Sequence, residues 1–288
     1  MSSTVVEVPP PVRILFGHAA LQVVADAAGV DLLHIKGPAT EPELRSPGGG
    51  TDADVLVRPS QCVRFVDELS ARGWSARSTF LSGSDVGHAA TFWHPQWGYA
   101  DVHRFFQGIS PKEAAFDILW AHREMTELAG VAVAVPTSAA RHLIAVLNAL
   151  RNRRTEEAAR MAAALQDPQG RVTTQHVEAL VAALGAEVGW AAAQGRLEEH
   201  RGAADYWPWR ATIYGTSRME SWVARLLSAP RLRDKALVLL RAPLVNIDHL
   251  AHVLGRRPTV RDVVVEFFER PRRGLAEEWQ RHRTRTDT

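Results

Sequence analysis

The eight residues Gly50-Thr51-Asp52-Ala53-Asp54-Val55-Leu56-Val57 decide how the first half of this 288-residue chain is expected to fold. Two aspartates, one residue apart, come directly before a run of apolar residues that is typical of a buried strand. On a strand, side chains i and i+2 point to the same face and lie roughly 6.5–7 Å apart along the chain. We therefore expect Asp52 and Asp54 to project together from one face of a β-sheet.

This pair of carboxylates suits a hard divalent cation. Mg²⁺ takes oxygen ligands and is usually held by one or two carboxylates together with substrate phosphates, and Mn²⁺ is the alternative. The pair thus indicates phosphoryl or nucleotidyl transfer. A lone Asp-x-Asp also occurs in many solvated loops, so the flanking sequence has to decide between the two interpretations.

The flanking sequence predicts a small α+β domain around the pair. Helical spacing over Val12–Val30 predicts a helix, and Asp31–Gly37 predicts a short buried strand that ends at Lys36-Gly37. Residues 38–50 are rich in Pro and Gly and predict a loop or a broken helix. Further elements are expected as strands at 51–57, 74–78, 89–94 and 99–106, a turn at 95–98, and a helix at 61–72 with Ser60 as its N-cap.

A third carboxylate lies on the last of these strands, in Ala100-Asp101-Val102-His103. Together with Lys36-Gly37 upstream, Asp101 turns the pair into a larger pattern. Three carboxylates that point the same way from a sheet are costly through like-charge repulsion unless a cation neutralises them. The pattern therefore strengthens the prediction of a metal site.

These segments resemble the polymerase-β-like nucleotidyltransferase superfamily, and within it the uncharacterised nucleotidyltransferase family 5. That family carries a pattern of the type LLKG-P-A … GDIDLLV … VDLHW. The matching segments here are Leu33–Ala39, Gly50–Val57 and Ala100–Arg104, with 14 residues between Gly37 and Asp52. The resemblance covers roughly residues 30–106, and the second half of the chain carries no motif of the family.

The resemblance implies roles for the three carboxylates. Asp52 and Asp54 would bind the metal pair that spans a nucleoside triphosphate such as ATP. Asp101 would complete the second metal site and activate the acceptor hydroxyl. Two-metal catalysis stabilises both the attacking and the leaving oxygens of an in-line displacement.

The resemblance also implies contacts to the triphosphate. Lys36 and the Gly37 backbone would contact phosphates, and Gly50-Thr51 would allow the triphosphate to approach closely. Arg45 and His103 are further candidates for nucleotide contact. For Lys36 and Arg45 the competing interpretation is an exposed surface cation, and for His103 it is a structural histidine.

Two departures from the superfamily pattern stand out. The usual Gly-Ser after the first strand is Gly37-Pro38 here, which removes a hydroxyl and a backbone N–H donor. Ala53 replaces the larger apolar residue that commonly separates the two aspartates. The first departure bears on phosphate binding, and the second is expected to be harmless.

Composition is that of a soluble globular protein, with 46% apolar and 23% charged residues. No stretch reaches the about 18 apolar residues of a membrane span, and the N-terminus lacks the features of a signal peptide. The single cysteine, Cys62, excludes an intramolecular disulfide and a cysteine-based zinc site, and we expect it in the core. We therefore predict a cytoplasmic protein with no membrane partner.

The character of the chain changes after residue 135. Residues 1–135 contain 10 Lys/Arg and 15 Asp/Glu, a net charge of −5, whereas residues 136–288 contain 24 and 17, a net charge of +7. The second half predicts helices at 138–150, 156–165, 175–184, 211–227 and 233–240. We expect a catalytic α+β domain at 1–135 and a helical, acceptor-binding domain at 136–288, with the site in the cleft between them. The basic charge either attracts a polyanion or is a solvated helical surface.

Tryptophans offer a further set of candidates. Trp93, Trp97, Trp207 and Trp209 invite a stacking interpretation, with Tyr206–Arg210 as a possible nucleobase or acceptor contact. Tryptophan at helical or strand spacing more often packs in the core.

The predicted function is therefore an Mg²⁺-dependent nucleotidyltransferase that moves a nucleoside monophosphate from an NTP to a hydroxyl or phosphate acceptor and releases pyrophosphate. The acceptor, whether small molecule, RNA or protein, is left open by the residues, as is the oligomeric state. One alternative is a non-catalytic nucleotide- or RNA-binding regulatory module on the same scaffold. Another is an unrelated phosphohydrolase, whose only candidate ligands are Asp248, His249 and His252.

Overall fold

The computed structural model describes residues 8–45, 50–80, 87–164, 172–215, 218–229, 231–241, 259, 261–262 and 265. The chain divides into two compact units, Met1–Ala193 and Gln194–Thr288. The first unit is α+β and the described elements of the second are helical, which confirms the predicted fold class. The boundary predicted after residue 135 lies inside the first unit. None of the helices in the described ranges combines the length and hydropathy that a membrane crossing requires.

The first unit contains seven strands and seven α-helices among its described residues. In chain order they are α1 (Pro10–Ala28), β1 (Leu32–His34), β2 (Asp52–Val57), α2 (Cys62–Ala71), β3 (Ser75–Ala76), β4 (Ala89–His94), β5 (Gly98–His103), α3 (Glu113–Ala121), β6 (Glu124–Leu128), β7 (Val131–Val135), α4 (Ser138–Arg151), α5 (Thr155–Ala163), α6 (Thr174–Leu184) and α7 (Glu187–Ala193). The second unit contains α8 (Tyr206–Tyr214), α9 (Arg218–Ser228) and α10 (Leu232–Arg241).

The main sheet is mixed and has the strand order β1-β2-β5-β4-β3. Strands β2 and β5 are parallel, and every other neighbouring pair is antiparallel. Because strand side chains alternate, Val55 of β2 and Val102 of β5 point into the core that α1 and α2 complete with Leu21 and Phe65. The even-numbered residues of β2, including both aspartates, therefore point away from this core.

Local sequence explains the broken segment between β1 and β2. Two 3-10 turns, Gly37–Ala39 and Pro42–Leu44, occupy the region where a loop or broken helix was predicted. Gly37 has a φ of +59°, a left-handed conformation that side chains other than glycine disfavour. The glycine thus allows the chain to turn directly after Lys36.

Several elements differ from the prediction. Ser60 does not cap α2, because its hydroxyl donates to Glu113 Oε1 at 2.7 Å and the helix begins at Cys62 after a 3-10 turn. The predicted helix 211–227 is replaced by α8 and α9, and α8 ends at Tyr214 before its C-cap Gly215, a residue type that disfavours a helix interior. Cys62 is buried, as expected.

The β6–β7 hairpin was not predicted, for an identifiable reason. Glu124, Met125, Thr126 and Glu127 are all exposed, so β6 lacks the apolar–polar alternation that marks a half-buried strand. The turn at Ala129-Gly130 has positive φ values of 50° and 78° without an Asn-Gly or Asp-Gly signal. Helices α3 and α7 were also missed.

Candidate functional site

The three predicted carboxylates converge on one face of the main sheet. Asp54 of β2 lies directly opposite Asp101 of the parallel strand β5. Ligand atoms of Asp54, Asp101 and His103 all lie within 4.8 Å of one another. Asp52 lies two residues before Asp54 on β2 and shares its face, and the charges of Asp54 and Asp101 act on it. The sheet face opposite the α1–α2 core thus carries a compact acidic site.

Asp54 is buried, and two donors surround it. Its Oδ1 atom pairs with the Lys36 ammonium and accepts a hydrogen bond from His103 Nε2 at 2.9 Å. Lys36 reaches it because the Ile35 N–H donates to the Asp54 carbonyl at 3.2 Å, which aligns the end of β1 with β2. Burial by itself would raise the pKa of Asp54, but Lys36 and His103 outweigh it and hold the pKa well below its usual range.

Asp52 has the opposite electrostatic character. Burial, together with the negative charges of Asp54 and Asp101, raises the pKa of Asp52 to about 7, and Lys36 offsets only part of this rise. Clustered carboxylate oxygens with excess negative charge are the donor set that Mg²⁺ or Mn²⁺ prefers. The residues of this face therefore fit a divalent cation.

Thr91 is a site residue that the sequence did not reveal. It lies opposite Asp101 on β4, and its hydroxyl donates to Asp101 Oδ1 at 2.7 Å. A threonine within a strand pattern carries no functional signal by itself. Only the pairing of β4 with β5 brings this hydroxyl to the carboxylate.

His103 lies behind Asp54 and has its side chain almost fully buried. Because a carboxylate only accepts, His103 Nε2 carries the hydrogen of this bond. Burial lowers the pKa of His103, although the bond to Asp54 opposes that shift. The geometry thus gives His103 the role of orienting Asp54, with its ring in reach of the possible metal position.

Three other residues were predicted to contact the nucleotide, namely Arg45, Gly50 and Thr51. Arg45 is exposed, and its Nε and Nη2 atoms donate to the Thr40 carbonyl at 3.0 and 2.9 Å. Within the described residues, the Arg45 guanidinium is therefore bound to a backbone carbonyl and not to a carboxylate. Gly50 and Thr51 are exposed beside Asp52, and the Thr51 hydroxyl lies 3.5 Å from Asp52 Oδ1.

Gly50 has room for a side chain in the described structure. A Cβ atom there would lie 3.7 Å from the Asp52 carbonyl oxygen, an ordinary van der Waals contact. The glycine is thus not required by packing, and its proposed role in admitting a triphosphate stays a prediction.

Two buried histidines lie beneath Lys36-Gly37 and were also missed. His18 comes from α1 and His34 from β1, and their Nδ1 atoms lie 2.7 Å apart. Burial lowers the pKa of His18 to about 4, although Asp54 opposes the shift, and burial together with His18 lowers that of His34. Both rings are therefore neutral at physiological pH.

Another set of predicted contacts, Tyr206–Arg210, belongs to the second unit. Tyr206 and Trp209 are buried in the second unit, and Arg210 lies over the Trp207 ring at 5.8 Å. Their predicted role as acceptor contacts stays a prediction. The phosphohydrolase candidates lie outside the described residues: Asp248, His249 and His252.

Comparison with known proteins finds one similar solved structure and no matching family model or curated protein. The chain is similar to the solution structure of the antibiotic-resistance factor ANT(2'')-Ia, a nucleotidyltransferase, with 12% identity over 65% of this chain and 92% of that one. The TM-score of 0.35 is too low for this likeness to carry an argument.

Proposed function

We propose that this protein is a divalent-metal-dependent nucleotidyltransferase. The observation that carries the proposal is the pairing of Asp54 with Asp101 on adjacent parallel strands, with Asp52 on the same face of β2. Two adjacent strands then present three carboxylates beside a lysine and a left-handed glycine turn. This combination suits the transfer of a phosphate-bearing group.

Asp52, Asp54 and Asp101 would hold the cation, which we propose to be Mg²⁺ or Mn²⁺. When bound, such ions neutralise charge on the attacking and leaving oxygens of an in-line displacement. His103 keeps Asp54 oriented through its 2.9 Å bond, and Thr91 keeps Asp101 oriented through its 2.7 Å bond.

The Lys36 ammonium has two alternative anionic partners in the proposed site, Asp54 and a bound triphosphate. In the described structure its ammonium neutralises Asp54. A bound triphosphate would offer it an alternative partner, and the adjacent turn at Gly37 would let the backbone approach the same phosphates. Lys36 and Gly37 therefore define the triphosphate side of the proposed site.

The proposed reaction is an in-line displacement at the α-phosphorus of the NTP. The acceptor oxygen forms a bond to the α-phosphorus of the NTP, and the bond between that phosphorus and the pyrophosphate oxygen breaks. The Asp101 carboxylate accepts the proton of the acceptor hydroxyl. Nucleoside monophosphate is thus transferred, and pyrophosphate leaves on the Lys36 side.

The test is pyrophosphate release from labelled ATP, GTP, CTP and UTP with Mg²⁺, over a panel of RNA and small-molecule acceptors. We expect release by the wild-type protein and by Asp67→Asn, which changes an exposed carboxylate on α2. Asp54→Asn should abolish it. If no nucleotide and no acceptor gives release above the Asp54→Asn background, the catalytic proposal is wrong.

A second candidate is a non-catalytic nucleotide- or RNA-binding regulatory module. The ion pair between Lys36 and Asp54 favours it, because this cation already occupies one proposed metal ligand. Pro38 also lacks the backbone N–H that a phosphate-binding turn would use. Binding of NTP without turnover, unaffected by Mg²⁺, would support this candidate over the enzyme.

A further inference from the structure

Two aromatic side chains lie in a row next to the carboxylates, on the same face of the sheet and toward the edge formed by β3. Tyr99 of β5 lies opposite Asp52 on one side and opposite Trp93 of β4 on the other. These three side chains share a face because they are aligned across neighbouring strands. Tyr99 is 47% exposed and Trp93 is half-buried, so both rings are accessible next to the carboxylates.

A cation completes this row. Arg77 follows β3, and its N–H donates to the Thr91 carbonyl at 2.8 Å, which places it beside the strand that carries Trp93. Its guanidinium lies over the Trp93 ring at 4.7 Å from the ring centre. Two strand spacings, roughly 10 Å, separate β3 from β5, so Arg77 lies on the side of Asp101 away from Lys36.

A small cavity opens at the same end of the sheet. Its volume is about 70 Å³, and Trp93, Tyr99, Thr51 and Arg13 contribute to its lining. Arg13 of α1 adds a second positive charge to this region. The cavity thus combines aromatic walls and a cation next to Thr51, the residue that precedes Asp52.

The geometry of the proposed reaction assigns this side to the acceptor, and this step rests on the proposed function. In an in-line displacement the attacking oxygen approaches the phosphorus opposite to the leaving group. If pyrophosphate leaves on the Lys36 side, the acceptor approaches from the side of Asp101 that faces β4 and β3. Trp93 and Arg77 lie there, and Tyr99 lies next to Trp93 on the strand that carries Asp101.

The chemistry of this row selects among acceptor classes. Aromatic rings bind nucleobases by stacking, and arginine pairs with phosphate. A polycationic sugar would instead meet Arg77 and Arg13 as like charges, and the cation position over Trp93 is already filled by Arg77. The row therefore favours a planar, anionic acceptor over a cationic one.

We propose that the acceptor is a nucleotide with a free hydroxyl, whose base stacks on the exposed Tyr99 ring and whose phosphate pairs with Arg77, the cation that lies over Trp93. The same chemistry is offered by a free mononucleotide and by the 3′ end of a single-stranded RNA. The 3′ end offers additional phosphates for Arg13. Binding of the two sources can be compared directly.

The test is binding, measured without catalysis. A fluorescein-labelled single-stranded RNA oligomer and unlabelled AMP are titrated against the wild-type protein and against Tyr99→Ala, Tyr99→Phe, Arg77→Gln and Arg64→Gln. We expect Tyr99→Ala and Arg77→Gln to weaken binding by about fivefold or more, and Tyr99→Phe to preserve it because the stacking ring remains. Arg64→Gln, an exposed change on α2, is the matched control.

Two controls separate failure of this inference from failure of the proposed function. Each variant is checked for an unchanged thermal unfolding transition and for unchanged Mg²⁺-ATP affinity. Asp54→Asn should keep its RNA affinity even where pyrophosphate release is lost. RNA and AMP affinities that are unaffected by Tyr99→Ala and Arg77→Gln, or an aminoglycoside bound more tightly than either, would overturn the inference. Tighter binding of RNA than of AMP identifies the strand end as the acceptor, and the reverse identifies the mononucleotide.

Discussion

His18 Nδ1 lies 2.7 Å from His34 Nδ1, and the protons of this pair are fixed by the residues behind it. Gln22 Nε2 donates to Asp26 Oδ1 at 2.7 Å, so Gln22 Oε1 faces His34 and accepts from its Nε2 at 3.0 Å. Since His34 is neutral, its Nδ1 accepts, and His18 Nδ1 donates. His18 Nε2 is then left with a buried lone pair beside Gly37, and no described residue hydrogen-bonds it.

The hydrogen bonds that end at His18 make the free energy of unfolding depend on pH. The unfolded histidine binds a proton near its ordinary pKa of 6.5, whereas burial lowers the pKa of folded His18 to about 4. Between these values the unfolded state binds more protons, so the free energy of unfolding falls as the pH drops. Protonating folded His18 costs on the order of 3 kcal/mol.

Urea unfolding at pH about 7.5 and about 5 measures this loss. His18→Gln should reduce the pH dependence by about one proton, while His34, His88 and His142, whose pKa values are also lowered, retain their share. An unchanged slope in His18→Gln would show that the pair is not the source.

Asp52→Asn is expected to stabilise the metal-free protein while it removes activity. Burial and the charges of Asp54 and Asp101 raise the pKa of Asp52 to about 7. Above that pH the folded protein carries an ionised Asp52, whose charge burial and the neighbouring carboxylates destabilise. Removing the charge should raise the free energy of unfolding above pH 7 by up to about 4 kcal/mol, because one pKa unit corresponds to about 1.4 kcal/mol. Added Mg²⁺ should stabilise the wild type and have a smaller effect on Asp52→Asn. Thermal unfolding with and without Mg²⁺ measures both effects, and a destabilised Asp52→Asn would contradict them.

Thr91→Val tests the orientation of Asp101. The substitution keeps the shape of the side chain and removes the 2.7 Å hydrogen bond to Asp101 Oδ1. A lost hydrogen bond to a charged group amounts to about 1.5 kcal/mol, or roughly tenfold in kcat, with little change in KM for the NTP. Thr126→Val, on the exposed strand β6, provides the control. Equal kcat values for the two variants would rule out this role for Thr91.

Gly37→Ala tests the turn after Lys36. The residue has a φ of +59°, and an added Cβ would lie 3.8 Å from His18 Nε2, so the cost is conformational and not steric. Gly29 has a φ of +61° with no neighbouring atom within 4 Å, which makes Gly29→Ala a matched control. Both variants should lose about 1 kcal/mol of stability. Only Gly37→Ala should raise the KM for NTP, and an equal effect of both would remove the phosphate role.

The positions of the site carboxylates on their strands were predictable, because they depend on the order of polar and apolar residues within each strand. The alternation in Thr51–Val57 predicts that Asp52 and Asp54 share a face, and the strands β2, β4 and β5 follow from apolar runs and turn residues. The charge and size of these side chains already restrict the chemistry to cations and phosphates. These conclusions need only the neighbouring residues in the chain.

Tertiary structure alone decided which side chains meet. The parallel pairing of β2 with β5 sets Asp54 opposite Asp101, and a slip of one residue would turn Asp101 to the other face. The same register brings Thr91 to Asp101 and Tyr99 between Asp52 and Trp93. Strand pairing is determined by the packing of residues far apart in sequence, so the sequence determined the kinds of groups available, and only the folded sheet determined their distances.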